Sequence, residues 1–202
     1  MSDRLENLLG ALVLAMSDSL TSAVETQAGH PGALAAALAV LAQEPGLGIE
    51  QLRRSLARTQ SATVRVVDQL VAEGQAERRA GADRRAISVV LTDQGTAAAA
   101  RVLDARAAVL REALAVLDAG EAELLSAVLE KILAAVTAGR AQAEQICRLC
   151  DVAACPLRAC PVELAARDAE LASDAEPRPA TGPQPIPRRY RSRERKPVAA
   201  CR

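Results

Sequence analysis

Four of the five cysteines in this 202-residue chain stand together, as Cys147-x2-Cys150-x4-Cys155-x4-Cys160. Thiolates at such spacings converge within one tight loop, and soft sulfur ligands select zinc or an iron–sulfur cluster. Pro156 and Pro161 each follow a cysteine and prevent a continuous helix, which leaves the thiols in turns. The spacing is neither a standard finger nor a ferredoxin pattern. Four readings therefore stand: a zinc site, ranked first, an iron–sulfur cluster as runner-up, a thiol–disulfide sensor, and inert cysteines. Cys201 reads as an exposed terminal thiol, and His30, placed before Pro31, as a turn residue rather than a ligand.

A second set of residues lies at the start of a helix. Gln60, Ser61, Thr63 and Arg65 occupy its first turns, where side chains can reach base edges and free backbone N–H groups favour phosphate. Residues 48–85 hold eight Arg against five acidic residues, so this segment is basic. No nucleophile stands with its base, and no phosphate-cradling glycine loop or paired-carboxylate site is present. An enzyme is not expected.

The elements that must position these residues follow from periodicity. Leu5, Leu8, Leu9, Leu12, Met16, Leu20 and Val24 draw one apolar stripe along a helix over residues 3–26, which His30-Pro31-Gly32 breaks. Helices follow over 33–43 and over 49–57, the latter with Gly48 as its cap. After the joint Arg58-Thr59-Gln60, a fourth helix over 61–73 turns Val64, Val67, Leu70 and Val71 inward and stops at Gly74. The period then changes: Ala76 to Arg79 and the alternating run Ile87 to Leu91 make a β-hairpin around a polar bend. Thr92 caps a helix running to Leu117, and Asp118 with Glu121 forms a capping box for another that carries Leu125 to Val136. A helix-turn-helix with a hairpin behind it is a winged helix, whose second helix enters the major groove while the wing reaches backbone or minor groove. The bland alternative is an ordinary helical hairpin with a solvated charged face.

The motif Asp83-Arg84-Arg85 followed by Leu91-Thr92-Asp93-Gln94-Gly95 resembles the wing signature of the MarR (multiple antibiotic resistance regulator) family. The run from Ser61 to Gly74 resembles that family's recognition helix, and the likeness extends over about residues 5–145. It implies a mainly α fold: a winged helix-turn-helix with long dimerisation helices and a small β-hairpin wing. It further implies a homodimer on a pseudo-palindromic double-stranded DNA operator, more often a repressor than an activator, with a small-molecule effector. Residue by residue, Arg85 matches the wing-tip Arg that enters the minor groove and Asp83 its carboxylate partner. Arg84 stands beside them, and Ser61, Thr63 and Arg65 fall on the DNA-facing side of the helix. The rival function is a metal-binding or redox-sensing adaptor that uses the winged helix for protein contacts.

Composition bounds the rest. The chain has no Phe or Trp and a single Tyr, Tyr190, so the core is built from Ala, Leu and Val, and stacking on bases is excluded. The net charge of +0 hides an asymmetry: residues 171–202 carry eight Lys/Arg against three Asp/Glu. The apolar run Leu8 to Met16 is short of the roughly 20 residues of a membrane span and follows Asp3, Arg4 and Glu6, so a cytoplasmic chain without membrane contact is expected. Three segments result: the winged helix with its long helices over 1–146, the cysteine loop over 147–163, and a polar Pro/Arg-rich tail over 164–202 expected to be disordered.

Overall fold

The structure is a computed structural model that describes residues 3–29, 32–80 and 87–175. In chain order the elements are α1 (Asp3–Ala28), α2 (Ala33–Gln43), β1 (Leu47–Gly48), α3 (Ile49–Ser55), α4 (Gln60–Ala72), β2 (Ala76–Ala80) and β3 (Ile87–Leu91). They continue with α5 (Asp93–Leu114), α6 (Ala119–Val136), α7 (Arg140–Ile146) and α8 (Pro161–Ala175). The expected winged helix is present, mostly helical with a small antiparallel sheet ordered β1-β3-β2. β1, too short for any alternation to show in sequence, pairs Leu47 with Val89, while β2 sets Arg78 opposite the same residue.

The core centres on α2, whose run Leu34 to Leu41 is buried on every side. A helix apolar all round belongs inside a domain. Leu38 and Leu41 meet Leu52 of α3, Val67 and Leu70 of α4 and Val89 of β3, all essentially inaccessible. The joint of the helix-turn-helix closes differently from the expected run to Ala57. α3 ends at Ser55, and Ala57 takes a φ of +51°, with its N–H bonded to Arg54 O (3.1 Å) and that of Arg58 to Arg53 O (3.2 Å). This left-handed step turns the chain from α3 into α4.

Residues 91–95 fix the wing to the recognition helix. The Thr92 hydroxyl caps α5 by accepting from Gly95 N (3.1 Å) and donates to Gly74 O (2.7 Å), just past the end of α4. Gln94 Nε2 donates to Glu73 O at 3.2 Å. Gly95 has a physical reason to be glycine: a Cβ there would stand 1.8 Å from Gln75 O, closer than any atom can sit. The motif is thus a clamp that ties together α4, the wing and α5.

The long helices are finished on one side only. In α1 just Val24 and Ala28 are buried, packed with Ala35 of α2 and Val102 of α5, whereas Leu5, Leu8, Leu9, Leu12, Val13 and Leu14 are all about half or more exposed. α6 buries none of its residues. By length and composition alone α1 could cross a membrane, since its helix extends well past the Leu8 to Met16 run.

Two further helices correct the expected organisation. Residues 164–175, assigned to a disordered tail, belong to α8, whose Val162 and Ala166 pack with Ala143 of α7, Cys160 and Leu133 of α6. Small residues make a faint stripe, and the polarity around them masked it. Arg140 holds α8 in place through Glu170 (2.8 Å) and Glu163, and Arg167 adds a second pair to Glu163 (2.7 Å). Residues 176–202 of the expected tail lie outside the described residues.

Candidate nucleic-acid interface and cysteine module

α4 starts on Thr59, whose hydroxyl accepts from Ala62 N at 3.3 Å. That cap leaves a helix start with the partial positive charge of aligned peptide dipoles facing out. Gln60, Ser61 and Arg65 are exposed there as expected. Thr63 is not: it is 0% exposed, and its hydroxyl donates to Thr59 O at 3.0 Å. Its placement among the DNA-facing residues is therefore corrected. Thr63, Val66, Val67 and Leu70 are the inward i, i+3, i+4, i+7 stripe, and a threonine is compatible with it because its one polar group is satisfied within the helix.

Val64, expected inward, is half-buried and lines a shallow outward depression with Thr59, Gln60, Ser61 and Arg65. It stands three positions after Ser61 and four after Gln60, the spacing that shares a helix face, and that signal could have assigned it to the outward set. An apolar side chain on such a face can meet a thymine methyl.

Most cations around this face are held by acids. Arg53 pairs with Glu50 (2.7 Å), Arg54 with Glu144 (3.0 Å), Arg78 of the wing with Asp68 of α4 (2.5 Å), and Arg79 with Glu77. Arg65 has no ion pair among the described residues. Asp83, Arg84 and Arg85, expected at the wing tip, lie outside the described residues.

The cysteines are brought together by the two added helices. Cys147 caps the C-terminus of α7, Cys150 closes a turn on it through its N–H to Cys147 O (2.9 Å), and Cys160 is buried immediately before α8. The thiols are neighbours, with Cys160 packed against both Cys147 and Cys155 in the small core of this module. Among the described residues no three His, Cys, Asp or Glu side chains are placed as a metal-ligand set. The hydrogen bond from Cys147, together with the Arg106 and Arg148 charges, brings the Cys150 thiol down to about 6 against the opposing effect of burial. The same hydrogen bond and burial push Cys147 up, and burial followed by the bond to Cys160 pushes Cys155 up to about 11.

The module is tied to the winged helix at defined points. Gln43 Nε2, at the end of α2, donates to the Cys150 carbonyl, and Arg54 of α3 makes a two-pronged contact with Glu144 of α7 at 3.0 and 3.3 Å. Leu149 packs against both the winged-helix core and the α1–α5 cluster. Beside these ties runs a cleft of about 560 Å³ lined by Thr21, Val24, Ala36, Arg58, Gln145 and Arg148 among others.

No family model and no curated protein matches the sequence. Solved structures do. A MarR family transcriptional regulator from Silicibacter pomeroyi is 27% identical, with a TM-score of 0.53 over 65% of this chain and 92% of that one. YusO from Bacillus subtilis is 25% identical, with a TM-score of 0.56 over 64% of this chain and 92% of its own. The MarR family protein Rv2887 of Mycobacterium tuberculosis is 25% identical, with a TM-score of 0.52 over 64% and 94%. The chain has the winged-helix fold of the MarR-family structures it resembles. The MarR-like likeness read from sequence over residues 5–145 stops just before the cysteines. Nearly whole structures are matched by under two thirds of this chain, so the MarR-like body here carries additional material.

Proposed function

We propose that this chain is a sequence-specific DNA-binding transcriptional regulator of the cytoplasm, working as a homodimer on a pseudo-palindromic operator and acting as a repressor. The observation that carries the reading is the outward turn of α4. Arg65 is exposed and unpaired among the described residues, with Gln60, Ser61 and Val64 beside it, while the neighbouring arginines of α3 and the wing are neutralised by acids. A guanidinium without an ion pair, set among hydrogen-bonding side chains at a helix start, suits base edges and phosphates better than it suits a protein surface. The similar structure from Silicibacter pomeroyi, that of a MarR family transcriptional regulator, agrees with this.

The exposed leucines of α1 and the exposed aliphatic residues of α6 supply the surface for a second copy. A dimer would set two α4 helices about one DNA turn, roughly 34 Å, apart, and an effector favouring another separation would release the operator. The 560 Å³ cleft, with Arg58 and Arg148 at its rim, is the place for a small molecule.

Selection of bound duplexes from a random pool tests the reading and yields the operator. On that operator Arg65→Ala should weaken binding by about 1–3 kcal/mol at fixed salt, as should Arg85→Ala in the wing motif. Enrichment of no sequence, or both variants binding like the parent, would instead favour an adaptor that uses the winged helix for protein contacts.

A further inference from the structure

Past the sequence likeness to MarR regulators, which ends near residue 145 within α7, stand the cysteine turns and α8, joined to the body by α7. They form a strap. α8 lies on α6 through Leu133, while α7 reaches α3 through Glu144 and Arg54, so the strap joins a long helix to the first helix of the helix-turn-helix. Its own core is only Ala143, Cys160, Val162 and Ala166 with a few half-buried neighbours. A unit so small needs cross-links or bound groups to hold one shape.

Within it, Cys147 and Cys150 are the pair best placed to be cross-linked. They are the first and fourth residues of a turn closed by a 2.9 Å hydrogen bond, and such a turn holds its end Cα atoms within about 7 Å, inside or close to the span a disulfide needs. Both are partly accessible, and Cys150 faces the guanidinium groups of Arg106 and Arg148 as well as the carboxylate of Asp151. Cationic neighbours with partial exposure are the surroundings of reactive rather than structural cysteines.

We propose that Cys147 and Cys150 are an oxidation-sensitive dithiol, with Cys150 the sulfur that attacks a hydroperoxide and Cys147 the sulfur that closes the disulfide. In the first step a lone pair of Cys150 Sγ forms the S–O bond as the peroxide O–O bond breaks, giving the sulfenic acid and, after one proton, an alcohol or water. In the second, Cys147 Sγ attacks Cys150 Sγ, the S–O bond breaks, and the departing hydroxide takes the Cys147 proton as water. The two sulfurs together lose two electrons, which the peroxide gains. A soluble dithiol reverses the reaction.

Closing this bond acts on the strap at its junction with the winged helix. Cys150 presents its carbonyl to Gln43, Leu149 between the two cysteines packs into the core, and Glu144 sits one turn upstream against Arg54. A change of the 147–150 turn is therefore passed to the end of α2 and to α3. Any effect on operator binding rests on the function proposed above, whereas formation of the disulfide does not.

The test uses the full chain, reduced and metal-free, with one equivalent of cumene hydroperoxide. Digestion with trypsin and Asp-N cuts after Arg148 and before Asp151, which puts Cys147, Cys150 and Cys155 on separate peptides, so a Cys147–Cys150 disulfide appears as one linked pair that dithiothreitol separates. Hydrogen exchange should change in α3 and the end of α2 on oxidation and return on reduction. Cys147→Ser should stop at a sulfenic acid on Cys150 that dimedone traps, and Cys150→Ser should show neither trap nor link. If either variant fails to fold, the peptide map of the parent chain decides alone. Free thiols after treatment, a link to Cys155 or Cys160 in place of this one, or uptake of one zinc ion by all four sulfurs that blocks oxidation would each overturn the proposal.

Discussion

α4 and α6 are both amphipathic helices of similar build, yet the chain treats them in opposite ways. α4 buries Thr63, Val66, Val67 and Leu70 against its own α2 and wing, and keeps a polar face free. α6, richer in large aliphatics, has no fully buried residue, with Leu133 half-buried against α8 and Leu124, Val128, Leu129, Ile132 and Val136 about two-fifths exposed or more. One chain is thus enough to complete the winged-helix body but not the surface of its long helices. The stability of the two regions should accordingly answer to different things, the first to packing within a chain and the second to association, where apolar patches of this extent find a partner.

The comparison breaks first where packing is densest. Leu70 has no accessible surface, and Leu70→Ala should cost about 2–5 kcal/mol, visible as a lower urea midpoint with helix content otherwise native. If that loss were absent, the winged helix would not be the rigid half of the molecule. On α6, the paired change Leu129→Asp and Ile132→Asp should leave the winged helix folded. Sedimentation of the parent should then give about twice 21.1 kDa and that of the double variant the single-chain mass. A parent that sediments as a monomer would remove the second copy from the proposed mechanism.

The winged helix was legible in the sequence because its signals are local and strong. Gly74 stops α4, Thr92 and Asp118 cap the helices after them, and alternation over Ile87 to Leu91 separates strand from helix. The Asp118 box is formed as expected, with Glu121 N donating to Asp118 Oδ1 at 2.9 Å and Asp118 N to Glu121 Oε2 at 3.0 Å. What escaped was either short or written in small residues. β1 has two residues, and α7 and α8 are held by Ala143 and Ala166 with arginine–glutamate pairs, none of which gives an apolar rhythm. The cysteines were visible as a cluster, but which thiol meets which is decided by the turn after α7 and by the start of α8, elements whose positions depend on contacts far along the chain.

Thr63 and Ser61 sharpen the comparison most finely, because two hydroxyl residues two positions apart on one helix should report on different faces. Thr63 Oγ1 donates to Thr59 O at 3.0 Å in a fully buried setting. Thr63→Val keeps the shape and removes that hydroxyl, so it should lower stability by about 1 kcal/mol. It should leave operator affinity at saturating folded protein unchanged. Ser61 is exposed and its Oγ stands 3.3 Å from Thr59 Oγ1, a contact made in water that contributes little to folding. Ser61→Ala should therefore leave the urea midpoint within about 0.5 kcal/mol of the parent and show its effect only as weaker operator binding. Equilibrium unfolding and DNA titration on the same two variants separate the faces. A loss of affinity on Thr63→Val with stability intact would mean that the helix turns its other side to the DNA, and Val66 and Val67 would then have to leave the core.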